Sequence, residues 1–360
     1  MFAPHWAASS VSRLFSIMPS LLPLFHKLAR CLALTSATLP FLMATPAQAA
    51  KTARASLAAV KYGGMAAYRL SDGRSEAVVV PALGRVMRYG LVGGANWLWN
   101  SVPGSVKSGE WRNWGGDKSW PAPQSQWPLS IGKNWPPSPA WDGVPHRAEV
   151  LPGGRLRLTS GLWPRWNCRV IREYSFDESG AFQISQTFEK TSGPPVELGL
   201  WNITQIATPE AIFLPANPQS AYVNGFHWLT KPEKLPDISL VRPNLLRIRP
   251  SGAGTNKIGV DAPLSTVVVV KNGLAFRQSA ARLAGSYPDG ALESGFPLEV
   301  FDIGGGGAGH YMETELLSPL RLFYAGTRWT HSVKWSLHSL NQAKVESPQF
   351  EAAIESLIKG

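Results

Sequence analysis

Short segments in which apolar and polar residues alternate recur along this chain, and turn-forming residues separate them. Alternation with a period of two puts successive side chains on opposite faces, so it is typical of half-buried β-strands. The clearest segments are residues 77–81, 155–159, 169–176, 182–188, 266–271 and 298–301. Residues 177–180, Asp-Glu-Ser-Gly, form a turn sequence between two of them and predict a hairpin. The pattern predicts an all-β fold.

Helical periodicity is found only near the C-terminus. Ser347 and Pro348 suit the N-cap and first position of a helix. Four apolar residues then fall on one helical stripe, namely Phe350, Ile354, Leu357 and Ile358. Because no repeat, linker or composition break divides the preceding chain, residues 50–340 are predicted to form one domain. Residues 341–360 are predicted to form a tail with a short helix.

The N-terminal 49 residues have the composition of a secretory signal peptide. They contain Arg13, Lys27 and Arg30 without any acid, then an apolar run over residues 31–44 and the small-residue sequence Ala-Gln-Ala at 47–49. Cleavage after Ala49 is predicted, with a periplasmic or secreted product and no membrane association afterwards. A retained anchor is disfavoured because the run is shorter than the ~20 residues that span a bilayer. Met1 and Met18 are both candidate starts.

The remaining composition excludes several classes of protein. Loss of the leader leaves one cysteine, Cys168, and therefore no intramolecular disulfide. The leader holds three of the 35 Lys and Arg and none of the 24 acids, so the rest of the chain carries a formal charge of +8. These charges are scattered rather than clustered, which disfavours nucleic-acid binding and favours weak affinity for anionic glycans or envelope surfaces.

No metal or cofactor is expected from the motifs. The histidines after the leader are isolated, without the spacing of a metal site: His146, His227, His310, His331 and His338. The glycine run at 304–307 is not followed by the Lys and Ser or Thr of a phosphate-binding loop, so it predicts a loop between strands.

Tryptophan is unusually dense in one Pro- and Gly-rich region. Eight occur in 45 residues: Trp97, Trp99, Trp111, Trp114, Trp120, Trp127, Trp135 and Trp141. This density is more than a core is expected to need, and it favours rings presented to a ligand, with a sugar fitting best because its C–H faces stack on indole. The alternative is that the rings close the ends of a sandwich. The predicted stacking and polar contacts are Trp111, Trp114, Trp120, Trp127, Asn113, Asp117, Lys118 and Gln124.

Two carboxylates are predicted to share a face of one strand. Residues 311–319 have strand character, and alternation places Tyr311, Glu313 and Glu315 on the same side, about 6.6 Å apart per pair. Like charges at this spacing raise one pKa, which suits a general acid or base. The alternative is an exposed charged strand that discourages edge pairing.

Two short motifs resemble a known family. Residues 80–87, Val-Pro-Ala-Leu-Gly-Arg-Val-Met, followed by Asn96 and Trp97, resemble the N-terminal signature of galactose mutarotase-like proteins, the relatives of aldose 1-epimerases. Residues 312–315, Met-Glu-Thr-Glu, resemble the segment that carries the mutarotase base. Residues 113–124 and 199–205 resemble an uncharacterised bacterial branch of this superfamily. The resemblance covers most of residues 60–338.

The resemblance implies an antiparallel β-supersandwich and a set of site residues. Glu313 takes the position of the base, and Glu315 replaces a glutamine. Arg85, Trp201 and Gln205 lie within the matching motifs as further contacts. Mutarotases also use a histidine acid, but residues 202–206, Asn-Ile-Thr-Gln-Ile, contain no histidine.

Mutarotation requires an acid as well as a base. Lys118 or Asp117 could supply it, or the site could bind sugar without turnover. The expected function is therefore an exported protein that binds a mono- or oligosaccharide and interconverts its anomers with Glu313 as base. The alternatives are a non-catalytic carbohydrate-binding protein and a structural envelope protein.

Overall fold

The computed structural model describes residues 55–101, 111–250, 252, 254–290, 295–305, 309–340 and 346–360. The predicted leader, residues 1–49, lies outside them. The described residues form two large antiparallel sheets, which confirms the predicted all-β class and supersandwich architecture. None of the helices among them is long and apolar enough to cross a membrane.

The first sheet has eleven strands. In spatial order they are β1 (Ser56–Tyr62), β2 (Met65–Ser71), β3 (Ser75–Val80), β4 (Arg85–Leu91), β5 (Asp117–Ala122), β10 (Val196–Ala207), β19 (Tyr311–Leu317), β18 (Leu298–Asp302), β15 (Asn256–Val260) and β12 (His227–Thr230), with β20 (Arg321–Phe323) also beside β10. Strands far apart in the sequence, such as β10 and β19, are therefore direct neighbours.

The second sheet has ten strands. Their order is β13 (Ile238–Arg242), β14 (Leu245–Ile248), β11 (Ala211–Pro215), β16 (Ser265–Lys271), β17 (Leu274–Ala280), β21 (Arg328–Ser339), β9 (Phe182–Lys190), β8 (Cys168–Phe176), β7 (Arg155–Thr159) and β6 (Arg147–Leu151). The predicted hairpin is formed by β8 and β9, with Phe176 opposite Phe182. Asp177 stabilises its turn by accepting from the backbone N–H groups of Ser179 and Ala181.

Short helices lie in one loop and at the C-terminus. A 3-10 turn (Gln124–Gln126), α1 (Trp127–Ile131) and α2 (Pro139–Asp142) follow β5. The predicted C-terminal helix is α3 (Pro348–Lys359), and the Ser347 hydroxyl accepts from the Phe350 N–H as its N-cap. Its stripe of Phe350, Ile354 and Ile358 is buried against the second sheet. Burial of this apolar face holds the helix in place.

The main core lies between the sheets. Aromatic rings from both sheets meet there: Tyr89 of β4 lies 5.1 Å from both Phe276 of β17 and Trp335 of β21, between ring centroids. Aliphatic side chains of the inward-facing strand positions surround these rings. Most inward side chains of the first sheet thus pack in the core, while alternation turns the intervening side chains to the opposite face.

Most of the clustered tryptophans are packed in the interior. Five of the eight clustered tryptophans are buried: Trp97, Trp114, Trp120, Trp127 and Trp141. Around Trp163, the rings of Trp127, Trp141 and Trp166 lie within 5.6 Å between centroids. The expectation that the region holds too many tryptophans for a core is therefore wrong, because the buried rings are divided among three apolar clusters. Trp97 packs in the main core and Trp114 in a small cluster with Met87. The other three pack in a second, largely aromatic core, where α1 and α2 meet strands of both sheets.

A buried polar network joins the two sheets. The Arg172 guanidinium of β8 is ion-paired with the Asp117 carboxylate of β5 and donates to the Asp117 carbonyl oxygen at 3.1 Å. Asn202 Nδ2 and Thr204 Oγ1 of β10 donate to Asp117 Oδ2 at 2.7 and 2.8 Å. Gln278 of β17 in turn donates to Thr204 Oγ1 at 2.9 Å. Satisfied partners of this kind are what allow charges to be buried.

Replacing Asp117 by Asn should destabilise the protein by about 3–5 kcal/mol, because the buried Arg172 guanidinium loses its counter-charge. Urea unfolding followed by circular dichroism measures the loss. Glu173→Gln is the matched control, since Glu173 is partly exposed and pairs with Arg157 on the surface, where an ion pair contributes at most about 1 kcal/mol. Equal losses in the two variants would contradict the structural role of the buried pair.

Candidate functional site

The outer face of the first sheet carries a row of polar and aromatic side chains. In this part of the sheet Gln205 of β10 lies opposite Glu313 of β19, and Glu313 lies opposite Phe301 of β18. Two residues further along β19, Glu315 lies between Ile203 of β10 and Glu299 of β18. The period of two keeps all of these side chains on the face turned away from the second sheet.

A cavity of about 470 Å³ opens on this face. Its volume lies within the range of small-molecule sites, about 300–1,000 Å³. Aromatic and polar side chains line it together: Trp111, Asn113, Lys118, Trp120, Gln124, Trp135, Trp201, Gln205, Thr230, Lys257, Phe301, Ile303, Tyr311, Glu313 and Glu315. Convergent charged groups among rings of this size are typical of a ligand-binding site.

Glu313 is held by two donors on one oxygen. Lys118 Nζ and Gln205 Nε2 donate to Glu313 Oε1 at 3.0 and 2.8 Å. Burial lowers the pKa of Lys118, while the charge of Glu313 opposes this shift. With Oε1 engaged by both donors, the carboxylate has a fixed orientation at the cavity wall.

A second charged group lies at the cavity floor. Lys257 Nζ is 2.6 Å from Glu299 Oε2 and 2.9 Å from Glu315 Oε2, and the Trp201 indole N–H donates to Glu315 Oε2 at 2.6 Å. Burial raises the pKa of Glu299 well above its usual range and also raises the pKa of Glu315, while Lys257 opposes both shifts. A single ammonium therefore serves two buried carboxyl groups.

Asp142 fixes two of the cavity tryptophans. Its Oδ2 atom accepts from the indole N–H groups of Trp111 at 3.3 Å and Trp120 at 3.0 Å. The Arg85 guanidinium is ion-paired with Asp142 and donates to the Gly115 carbonyl oxygen at 2.7 Å. Since Asp142 and Arg85 are both buried, the two indoles are anchored from behind the cavity.

The tryptophan rings that line the cavity differ in their exposure to solvent. Lys118 Nζ lies 4.7 Å from the ring centroid of Trp120, and Lys257 Nζ lies 4.4 Å from that of Trp201, as cation–π contacts. Trp135, in contrast, is 46% exposed and packs edge-on against Trp111 with centroids 4.6 Å apart. Trp135 and Trp111 therefore present the rings most accessible from solvent.

The similarity of this chain to known proteins lies in its fold. No protein-family model matches the chain, and no curated protein sequence matches it. Among solved structures, a candidate mutarotase from Salmonella typhimurium covers 79% of this chain and 94% of its own, at 10% identity and a TM-score of 0.50. The chain has the galactose mutarotase-like fold.

Two further solved structures were matched. A galactose mutarotase-like protein from Lactobacillus casei ATCC 334 is 8% identical over 78% of this chain and 100% of its own, with a TM-score of 0.49. A candidate aldose 1-epimerase from Escherichia coli K12 is 12% identical over 79% of this chain and 100% of its own, with a TM-score of 0.47.

Within this mutarotase-like fold, most of the predicted site residues meet at the cavity. Nine of them line it: Glu313, Glu315, Lys118, Trp111, Asn113, Trp120, Gln124, Trp201 and Gln205. They come from the loop after β4, from β5 and the turn that follows it, and from β10 and β19.

Four predicted site residues do not line the cavity. Asp117 precedes Lys118 on β5, so alternation turns its side chain inward to Arg172, and it is not placed to act as the cavity acid. Arg85 lies behind Asp142. Trp114 packs in a separate apolar cluster with Met87, and Trp127 is fully buried, where its indole N–H donates to the Pro121 carbonyl oxygen at 2.9 Å.

The cavity also contains residues that were not predicted as contacts. Lys257, Thr230, Phe301 and Ile303 come from strands or loops distant in sequence, and only the order β19, β18, β15, β12 brings them together. Tyr311 was predicted on the face of Glu313 but not as a contact. Trp135 belongs to the tryptophan cluster that the sequence shows, and the two prolines that follow it are the only local signal that it lies in a loop.

No metal site is evident in the part of the chain that the structure describes, where no group of three or more His, Cys, Asp or Glu is placed to hold an ion. His310 hydrogen-bonds Asp302 at 2.8 Å, and both are buried outside the cavity lining. No histidine among the described residues lines the cavity.

Replacing Lys257 by Met should destabilise the protein more at pH 8 than at pH 5. The folded-state pKa values of Glu299 and Glu315 are already raised by burial, and loss of the ammonium raises them further. Stability from a raised carboxyl pKa is complete below the unfolded pKa and is lost as pH rises through the folded one. Urea unfolding at both pH values measures the difference.

Lys334→Met is the control, because Lys334 is half exposed and pairs with Asp177 at the surface. Its effect should be small at both pH values. If Lys257→Met lowers the free energy of unfolding equally at pH 5 and pH 8, the charge imbalance at the cavity floor is contradicted.

Proposed function

We propose that this cavity binds a carbohydrate and that the protein interconverts the anomers of that sugar, with Glu313 as the general base. The observation that carries the proposal is the Glu313 carboxylate, fixed by Lys118 and Gln205 at the wall of a cavity lined with tryptophan. The mutarotase-like fold supports the same proposal.

The lining suits the two kinds of surface that a sugar presents. Aromatic rings stack on the C–H face of a pyranose, and here Trp111 and Trp135 are the accessible ones. Hydroxyl groups need hydrogen-bond partners when they leave water. Asn113, Gln124 and Gln205 at the cavity can provide donors and acceptors for them.

The proposed reaction begins at the anomeric hydroxyl. Glu313 removes its proton, the bond between C1 and the ring oxygen breaks with its electron pair going to that oxygen, a general acid protonates the ring oxygen, and an aldehyde forms at C1. Rotation about the C1–C2 bond and reversal of these steps give the other anomer. Glu313 Oε1 is engaged by Lys118 and Gln205, so the other carboxylate oxygen, Oε2, is the one we assign to the proton.

The setting of this activity is part of the proposal. The predicted signal peptide is the basis for proposing that the mature chain acts in the periplasm or outside the cell. There the protein would act on a mono- or oligosaccharide without a cofactor, a nucleic-acid partner or a membrane anchor. An oligosaccharide could extend from the cavity over Trp135, which is exposed at the rim.

Glu313→Gln should reduce anomer exchange by about 100-fold or more, since general-base catalysis typically contributes 10²–10⁴-fold. Sugar binding should persist, because the amide keeps the size and most hydrogen-bonding capacity of the carboxylate. Polarimetry with freshly dissolved sugars measures exchange, and tryptophan-fluorescence titration measures binding. Glu76→Gln, a carboxylate paired with Arg88 elsewhere in the same sheet, is the control. Unchanged exchange in Glu313→Gln would exclude the role of base.

A second candidate function is carbohydrate binding without turnover. The observation that favours it is the absence of a histidine from the described cavity lining, because the resemblance implies a histidine acid. Saturable sugar binding together with no exchange by the wild type would establish this alternative. No saturable binding across neutral, amino and acidic sugars would instead favour a structural envelope role.

Trp135→Ala should weaken sugar binding roughly tenfold, or about 1.4 kcal/mol, which matches the upper range of ring contacts. Trp329→Ala is the matched control, because Trp329 is a partly exposed tryptophan on β21 of the other sheet. Fluorescence titration compares the two dissociation constants. Equal affinities would show that the ligand does not contact the cavity rim.

A further inference from the structure

A buried pair of carboxyl groups lies directly beside the proposed base. Glu299 of β18 and Glu315 of β19 are cross-strand partners, 0% and 1% exposed. Glu315 lines the cavity, whereas Glu299, its neighbour on the same face of the sheet, does not. Glu299 was not among the predicted site residues.

The pair has more negative charge than its surroundings balance. Lys257 is its one ion-pair partner among the described residues, and Asp289 is close enough to add further negative charge to Glu299. Oε1 of Glu299 and Oε1 of Glu315 are both buried without a hydrogen-bond partner in the described part of the chain. Two carboxylates in one buried site do not both ionise readily, so the pair retains a proton.

This inference rests on the proposed function and names the acid that the function lacks. We propose that Glu299 and Glu315 hold one proton between them and that Glu315 delivers it to the ring oxygen of the sugar while Glu313 takes the proton of the anomeric hydroxyl. Glu315 is then a catalytic residue, and Glu299 is a positioning residue that acts through it.

The spacing of the two catalytic carboxyl groups suits this reaction. Glu313 and Glu315 are two residues apart on β19, or about 6.6 Å along the strand, and they project to the same face. The anomeric hydroxyl oxygen and the ring oxygen are bonded to the same carbon, C1. A C1 atom placed between the two side chains brings each oxygen within hydrogen-bonding distance of one carboxyl group.

The protons and electrons balance without a cofactor. The O1–H bond electrons form the second bond of the C1=O1 carbonyl as the proton moves to Glu313. The electron pair of the C1–O5 bond goes to O5, which takes the proton from Glu315. Lys257 and the Trp201 N–H stabilise the carboxylate left on Glu315. Ring closure returns both protons to their original positions.

The two lysines are less suited to be the donor. Burial lowers the pKa of Lys118, but Lys118 is ion-paired with Glu313 Oε1, and loss of a proton from its ammonium would remove the positive charge that holds the base in place. The pKa of Lys257 is raised because Glu299 and Glu315 outweigh the effect of its burial, so it holds its proton tightly. Tyr311 also lines the cavity beside Glu313, but burial and the charge of Glu313 raise its pKa, so the phenol holds its proton tightly. Among these groups the carboxyl pair is therefore the acid best suited to give up a proton.

The pH profile distinguishes the donor from a merely structural pair. The groups that face the pair are Lys257 from β15, Asp289 and, on β19, Glu313. Because burial raises the pKa values of Glu299 and Glu315, their proton is present at low pH and lost as pH rises through the raised value. The turnover number of the wild type should therefore fall on the alkaline side.

The test compares Glu299→Gln and Glu315→Gln with the wild-type chain by polarimetry across pH. In Glu299→Gln, Glu315 alone faces Lys257 and ionises at lower pH, so kcat should fall about tenfold, with KM nearly unchanged and the alkaline limb moved to lower pH. Glu315→Gln should lose about 100-fold or more. Glu299→Asp, which keeps a carboxyl group, should return the alkaline limb to its wild-type position. Glu189→Gln, ion-paired with Arg169 on the other sheet, should match the wild type.

Each outcome decides a different question. If Glu299→Gln still exchanges anomers and the alkaline limb of its pH profile is not shifted, the role of Glu315 as proton donor is overturned. The proposed function is then unaffected. Absence of exchange in the wild type overturns the proposed function and this role of Glu315 with it. Infrared difference spectroscopy tests the shared proton by itself: a carboxylic-acid band at neutral pH that Glu299→Gln removes supports it, and no such band overturns it.

Discussion

The ion pair between Asp117 and Arg172 supports the site from beneath. It fixes β5 against the second sheet, and the hydrogen bonds from Asn202 and Thr204 to the same carboxylate fix β10 beside it. Lys118 and Gln205 are the next residues along these two strands, so their outward side chains have determined positions. The orientation of Glu313 depends on both. The buried polar network on the inner face of the first sheet thus determines the geometry of the cavity residues on its outer face.

Local patterns allowed much of the fold to be predicted. Alternation identified the β8–β9 hairpin, and capping with an apolar stripe identified α3. The shared face of Glu313 and Glu315 also follows from one strand alone. Lys257 and Glu299 could not be predicted, because no short-range signal specifies that β18 and β15 follow β19 in the sheet. The order of strands in a sheet depends on contacts between residues far apart in the chain, which local patterns do not specify.

The tryptophans illustrate a different limit. Indole has both a large apolar surface and a donor N–H, so composition alone cannot separate a core ring from a ligand-contacting one. Trp127 donates to a backbone carbonyl and is fully buried, whereas Trp120 donates to Asp142 and lines the cavity. Their surroundings in sequence are similar. The two rings share one buried cluster and differ in the partner of the indole N–H and in contact with the cavity, and both differences arise only in the folded chain.

The shared acceptor Asp142 has an evolutionary consequence. Trp111 and Trp120 donate to the same oxygen, and Arg85 neutralises the charge from behind. Loss of the Asp142 carboxylate would leave the buried Arg85 guanidinium without a counter-charge and would remove the acceptor of both indole N–H groups. Single substitutions at this position are therefore expected to destabilise the folded protein strongly. Descendants of this sequence that acquire a new ligand are therefore expected to vary Trp135 and Gln124 at the cavity rim first, while the four linked residues are inherited or exchanged as a unit.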